Sequence, residues 1–481
     1  MIFYGLNSIS RRFSTFFTVL MIVSNLSVAD SPSPYTSTTS VFIPYANAGG
    51  NSDLTETPTI NVGFNGSGKY TQIGMDTGSV GIVASADIFT PARGAKYLGP
   101  GQQYYSSSGI IEVGSWWSAT QQFYDTHGNL IATANVPVLQ VTSIQCATGA
   151  RGCTPNNNPT GIALMGIGFA RESPQQPRGT PNYNAFLNLQ RILQNNILQP
   201  LPVNWCNGYV VRPDGVYLGL TAANTANAGF VKLLPWPAFT TPQLSEWMAA
   251  PMTIDANGTK GNGNVLMDTG VGDAFLTPPP GSNLGPLVTC PGTTLVQCVP
   301  PGKTIGVYLP DDTNPVAHYS YLVGDNSNPM HPDGTHVDSG SDIFFNTSRH
   351  VLGGINFIYD NTNGYIGYIW NGNSSSSVGF VTPATTQSAT TLISSANPAM
   401  ITNDVTFTAI VTGIDSSQTP TGGITFVIDG SQQYILLDDS GVATFSTSQL
   451  TAGKHTIVAK YSGDVTYVRS VSPTLIQKIG L

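Results

Sequence analysis

Hydrophobic and polar positions alternate over most of this chain. Short runs rich in Val, Ile, Phe and Tyr, punctuated by Gly, Asn and Pro, fill residues 38–370 and read as strands. One segment departs from that period. Across residues 182–199, Phe186, Leu187, Leu189, Ile192, Leu193 and Ile197 recur at helical spacing and predict an amphipathic helix. Around 371–390 the composition shifts to Ser, Thr, Gly and Pro, so 373–387 reads as a linker. Beyond it the alternation is clean: Val405, Phe407 and Ala409; Ile424, Phe426 and Ile428; Ile457, Ala459 and Tyr461. Several short strands at regular spacing predict a β-sandwich over 388–481. The fold class expected is therefore mainly all-β.

Composition narrows the setting. Only 9% of the residues are Asp, Glu, Lys or Arg, against a usual value of about 25%. The surface must be built from Ser, Thr, Asn, Gln and Gly, which change little when carboxylates protonate. A net charge of −8 with 18 basic residues argues against a nucleic-acid partner, which needs a basic face. Arg11 and Arg12 precede an apolar stretch at 13–23, and Ser27, Val28 and Ala29 supply small residues for cleavage. This predicts a secretory signal peptide, 1–29, and a secreted, extracellular or cell-surface location. Five cysteines fit an oxidising compartment. Cys146 with Cys153, and Cys290 with Cys298, are close enough to staple surface loops, leaving Cys206 as a buried, inert thiol.

The candidate chemistry lies in a repeat. GMDTGSVGIV (74–83) places Asp76 at the end of an apolar run, and NVLMDTGVGDAFL (264–276) places Asp268 in the same setting. The copies are 192 positions apart, about one lobe of chain, which predicts two similar lobes meeting at a cleft. A buried carboxylate is costly alone. Two held close together share a proton, so one serves as base on a water while the other donates to a carbonyl. Gly78 and Gly270 allow tight turns beside the carboxylates, Thr77 and Thr269 can hydrogen-bond between the loops, and Ser79 can donate to Asp76.

With both motifs in place, residues 40–370 resemble a two-lobed, pepsin-like aspartic protease. ALMGIGFA (163–170) is similar to the segment that braces the first aspartate loop, GVYLGLTAANTANAGFVKLLPW (215–236) to a strand pair opening the second lobe, and FFNTSRHVLGGINFIYDNTNGYIGYIW (344–370) to the end of that lobe. The last stretch resembles the protease domains of mycobacterial PE-family surface proteins. The resemblance implies a catalytic domain at 38–372, with lobes at about 38–208 and 209–372. It implies hydrolysis of peptide bonds in an extended polypeptide by a monomer, with Asp76 and Asp268 catalytic and no metal or other cofactor. YYSSSG (104–109) is the candidate hairpin over the cleft, with Tyr104 and Tyr105 as alternatives for its tyrosine. Val271 stands where many members of the family carry Ser or Thr. Asp268 is thereby expected to lose a donor and the pair to titrate higher, with a milder acidic optimum. Residues 388–478, with PTGGITFVIDG (420–430) and GVATFSTSQLTAGKHTIVAKYSGD (441–464), resemble bacterial immunoglobulin-like repeats. This implies a bacterial source and a spacer or adhesive module that contacts protein or glycan at a cell surface.

Competing readings are weaker. Asp338 begins a third near-match, DSGS, but too little chain follows it for a lobe, and it reads as part of the segment bracing the second loop. His331, Asp333, His336 and Asp338 contain ligand types, yet they lie in a Pro/Gly-rich stretch without helical spacing and read as a solvated loop. A non-catalytic adhesin on the same fold is the alternative to the protease.

Overall fold

The computed structural model describes residues 35–47, 54–150, 153–173, 176–236, 244–290, 296–313, 315–371, 386–414, 418–464 and 466–480. The expected signal peptide and all but the last two residues of the expected linker lie outside them. The described residues form strands and short turns throughout, as the alternation predicts.

Three sheets build the body of the molecule. An eleven-stranded sheet runs from Ile197–Pro200 at one edge to Tyr97–Tyr105 at the other, and carries the first aspartate motif. A nine-stranded sheet between residues 250 and 346 carries the second. A six-stranded sheet lies with them, in the order Val41–Pro44, Gly215–Leu218, Gly208–Val211, Ile355–Asp360, Tyr365–Trp370, Gly229–Lys232. Its strands are apolar on both faces, so they need cover on both. Tyr209, Val211, Phe357 and Tyr359 join a core shared with Ile60 and Met75 of the first motif's sheet and Ile254 and Phe345 of the second's. On the opposite face Val210, Phe230, Ile358 and Tyr365 pack with Tyr35 and Cys206. A continuous core thus ties the two motif-bearing sheets together, and relative sliding of the motifs would break it. Two disulfides, Cys146–Cys153 and Cys290–Cys298, staple loops as their spacing predicts, and Cys206 is free and buried.

Two local expectations are corrected. Residues 182–199 are not a helix. They form 3-10 turns at Pro181–Tyr183 and Ala185–Leu187, then a hairpin of Leu189–Gln194 with Ile197–Pro200. Asn195 and Asn196 sit at φ 51° and 63°, the left-handed pair that closes a two-residue hairpin and ends any helix. Asn184 competes further for the backbone: its side chain accepts from Phe186 N–H and donates to the Ile167 carbonyl. Within 215–236 the strands Gly215–Leu218 and Gly229–Lys232 are not a pair either. Gly215–Leu218 lies between Val41–Pro44 and Gly208–Val211, and Gly229–Lys232 pairs with Tyr365–Trp370 at the far edge of the sheet.

The C-terminal sandwich has the inward positions its pattern predicts: Val405, Phe407, Ala409, Ile424, Phe426, Ile457, Ala459 and Tyr461 are buried together. It docks on the six-stranded sheet. Lys232 Nζ donates to the carbonyl of Ser462 at 2.7 Å and to that of Asn363. Its ammonium lies 5.0 Å from the Trp247 ring and 4.7 Å from that of Tyr365, whose hydroxyl donates to the Asp464 carbonyl. Desolvation brings this amine down to about 7. Lys232→Ala leaves two carbonyls unpaired and is expected to cost about 1–3 kcal/mol. Calorimetry should then resolve the sandwich as a separate transition at lower temperature.

Candidate active site

Each aspartate is held by the same three-strand device. Strand Tyr70–Asp76 ends at Asp76, residues 77–79 turn, and Val80–Ser85 returns. Ala163–Ile167 lies between the two, parallel to the first and antiparallel to the second, as expected of the ALMGIGFA segment. In the other sheet Thr259–Leu266 leads to Asp268 and Ala274–Thr277 returns, with Phe344–Asn346 between them in the same parallel and antiparallel senses. The brace of the second loop is therefore FFN, not the DSG at 338–340, whose Asp338 N–H bonds to the Leu276 carbonyl. A brace must continue the buried sheet, and apolar Phe345 can do so.

The loops grip each other through their threonines. Thr77 N–H donates to Thr269 Oγ1 at 3.1 Å and Thr269 N–H to Thr77 Oγ1 at 3.0 Å. Each hydroxyl then donates across to the strand leading to the other aspartate, Thr77 to the Met267 carbonyl (2.6 Å) and Thr269 to the Met75 carbonyl (2.8 Å). Both threonines are buried, and so are Asp76 and Asp268, each 5% exposed. The glycines serve close approach rather than unusual torsion: a Cβ on Gly78 would strike the Asp268 carboxylate and one on Gly270 that of Asp76. The carboxyls face each other, each packed against the glycine of the opposite loop. Burial first, then the Asp268 charge, raises the Asp76 pKa, against the donors Ser79 and Gly78. Two like charges so placed bind one proton between them and titrate as a pair.

The expected deficit at Val271 does not arise. Asp76 accepts from Gly78 N–H (2.6 Å) and Ser79 Oγ (2.5 Å). Asp268 accepts from Gly270 N–H (2.8 Å) and from Asn346 Nδ2 (2.6 Å), the last residue of the bracing strand. Each carboxylate therefore has two donors, and the asymmetry is one of source. The sequence signal for Asn346 is slight: a polar residue closing an apolar strand.

Above the pair, Tyr97–Tyr105 and Ile110–Trp117 form a hairpin whose turn contributes Ser106, Ser107 and Ser108 to the wall of a cleft of about 490 Å³. Both tyrosines line it. The Tyr104 carbonyl accepts from Gln176 Nε2, and the Tyr105 hydroxyl donates to Glu112 Oε2 at 3.3 Å. Burial and the nearby Glu112 and Asp76 carboxylates keep the Tyr105 phenol protonated. Glu112 itself is pushed up to about 7 by burial, with the Tyr105 bond opposing. Its position in the strand IIEVGSWW marks it as a charged residue in an inward register, a clue that sequence reading passed over. The four residues weighed as ligands have separate partners: His331 accepts from Gly324 N–H, Asp333 meets His350 at 3.2 Å and His336 meets Asp273 at 3.3 Å, while Asp338 lines the cleft. Among the described residues the group close enough to hold a metal is Cys290, Cys298 and His336, and its cysteines are joined in a disulfide.

Comparison with known proteins adds the following. Residues 390–480 match the family model of the bacterial Ig-like domain (group 3). Among solved structures, the aspartic proteinase from Irpex lacteus is similar at 14% identity and a TM-score of 0.42, over 70% of this chain and 99% of that one. No curated protein matches the chain in sequence. The fold class is thus the one expected, mainly β, with two motif-bearing sheets joined at a buried aspartate pair and a bacterial Ig-like domain at the C-terminus.

Two outcomes follow from this geometry. Asn346→Leu removes one of the two donors to the buried Asp268 carboxylate, and should cost about 1–3 kcal/mol of stability, measured by denaturant unfolding. Glu112 binds its proton more tightly folded than unfolded, so its contribution is full below about 4.5 and lost as pH rises to about 7. Glu112→Gln should therefore flatten the fall in denaturant-measured stability between those values by about 2–3 kcal/mol.

Proposed function

We propose that the two-lobed domain is an aspartic endopeptidase that hydrolyses peptide bonds of extended polypeptides at acidic to near-neutral pH. The observation that supports this reading is the pair Asp76 and Asp268, buried together yet opening on a cleft, with two donors on each. At one proton per pair, the ionised carboxylate takes a proton from an attacking water and the protonated one donates to the scissile carbonyl. The tetrahedral intermediate collapses when a proton passes to the leaving amine. The threonine bonds keep the geometry fixed through this exchange, so little reorganisation is needed. The hairpin bearing Tyr104 and Tyr105 would cover the bound peptide and exclude water.

In this reading residues 1–29 direct export, and the Ig-like domain spaces or tethers the enzyme at a bacterial surface. That domain also favours a second reading, a surface binding protein that uses the cleft without cutting.

Cleavage of casein and of a peptide library by residues 30–481 between pH 3 and 7 separates the two. Asp76→Asn and Asp268→Asn should each lower the rate by about a thousandfold or more, and a statine-type analogue should inhibit. Activity that survives either substitution would sink the assignment of the pair, and no cleavage anywhere in the range would favour binding alone.

A further inference from the structure

Near the aspartates, the cleft contains a cation that the proposed chemistry does not use. Arg171 follows the bracing strand Ala163–Ile167 by four residues and lines the cleft with Asp76, Asp268 and Gln176. It is half-buried, and its Nε is buried without a hydrogen-bond partner. The aspartate oxygens are already engaged by Gly78, Ser79, Gly270 and Asn346. Glu246, whose Oε1 binds the N–H groups of Ala170 and Trp247, makes no ion pair with it among the described residues. In the same cleft, Gln176 gives its Nε2 to the Tyr104 carbonyl, which leaves Oε1 buried and without a partner.

An unused donor and an unused acceptor therefore line one cleft. Leaving either desolvated is costly, and a guanidinium is the costlier. A ligand that repairs both brings a carboxylate for the guanidinium, which Arg binds in planar, two-pronged fashion, and an N–H for the amide oxygen. A peptide residue with an acidic group supplies both.

We infer that Arg171 and Gln176 form a carboxylate-selecting subsite of the cleft, with Arg171 the specificity-determining residue for an acidic side chain or the C-terminal carboxylate of a bound peptide. The inference rests on the reading of the cleft as a peptide site. It does not require the bound peptide to be cut.

Binding is therefore measured on the full chain with non-cleavable reduced-amide peptides. They carry Glu or Gln at positions flanking the isostere, each with a free or an amidated C-terminus. A carboxylate, from either source, should tighten binding about tenfold over its amide counterpart. The gain should vanish in Arg171→Leu, persist in part in Arg171→Lys and fall with salt. The amidated Glu peptide and the free-terminus Gln peptide tell the two sources apart. Equal binding of all four peptides by the wild type overturns the inference, as does a preference that survives Arg171→Leu. So does an Arg171→Leu variant that shifts only the pH profile, since the guanidinium would then merely balance the aspartate charge. If Arg171→Leu does not fold, the wild-type comparison and Arg171→Lys decide. A carboxylate preference without hydrolysis of ordinary peptides would retain the subsite and remove the endopeptidase; hydrolysis without the preference would do the reverse.

Discussion

Two carboxylates are buried face to face, and the Asp268 charge adds to burial in opposing ionisation of Asp76. That repulsion has to be held, because either group would gain by turning to solvent. The threonine pair holds it: four hydrogen bonds cross between loops 192 residues apart, and each hydroxyl is fixed as donor and acceptor at once. The loops can cross only because each is seated on its own sheet and both sheets pack into one core. The glycines after each threonine complete the device by removing the atoms that would stand between loop and carboxylate.

The two halves solve one problem with different residues. In the first sheet the bracing strand carries Gly166 beside Ser79, where a side chain would collide with the serine that reaches Asp76. In the second, the loop lacks a hydroxyl at Val271 and the bracing strand itself supplies the amide of Asn346. What the repeat conserves physically is the number of donors to each carboxylate rather than their identity. A comparison of the two loops alone therefore overstates the asymmetry of the pair.

Charge is scarce in this chain, yet several of its charged groups lie in the interior. Glu112 and Glu246 are each pushed up to about 7 by burial, and the fully buried Asp360 is raised for the same reason. Such groups favour the folded state when protonated, so acid costs them little. Together with a surface of uncharged polar groups, they make the fold tolerant of acid.

Much of this was legible in the residues. Period-two alternation declares strands because it is local, and the clean pattern of 405–461 gave the sandwich its inward face. The repeated Met-Asp-Thr-Gly picked out the aspartates because a buried carboxylate is conspicuous in an apolar run. The helix expected at 182–199 failed where periodicity met a stronger local preference, the left-handed Asn195 and Asn196. Other features lay beyond any local pattern. Asn346 meets Asp268 across 78 residues of chain, and Gln176 meets Tyr104 across 72. The sequence by itself determined which groups the chain must bury and the class of structure that buries them. Only the tertiary structure decided which donors satisfy them and which, like Arg171, are left open to a ligand, because hydrogen bonds between distant segments depend on sheet register and packing rather than on spacing along the chain.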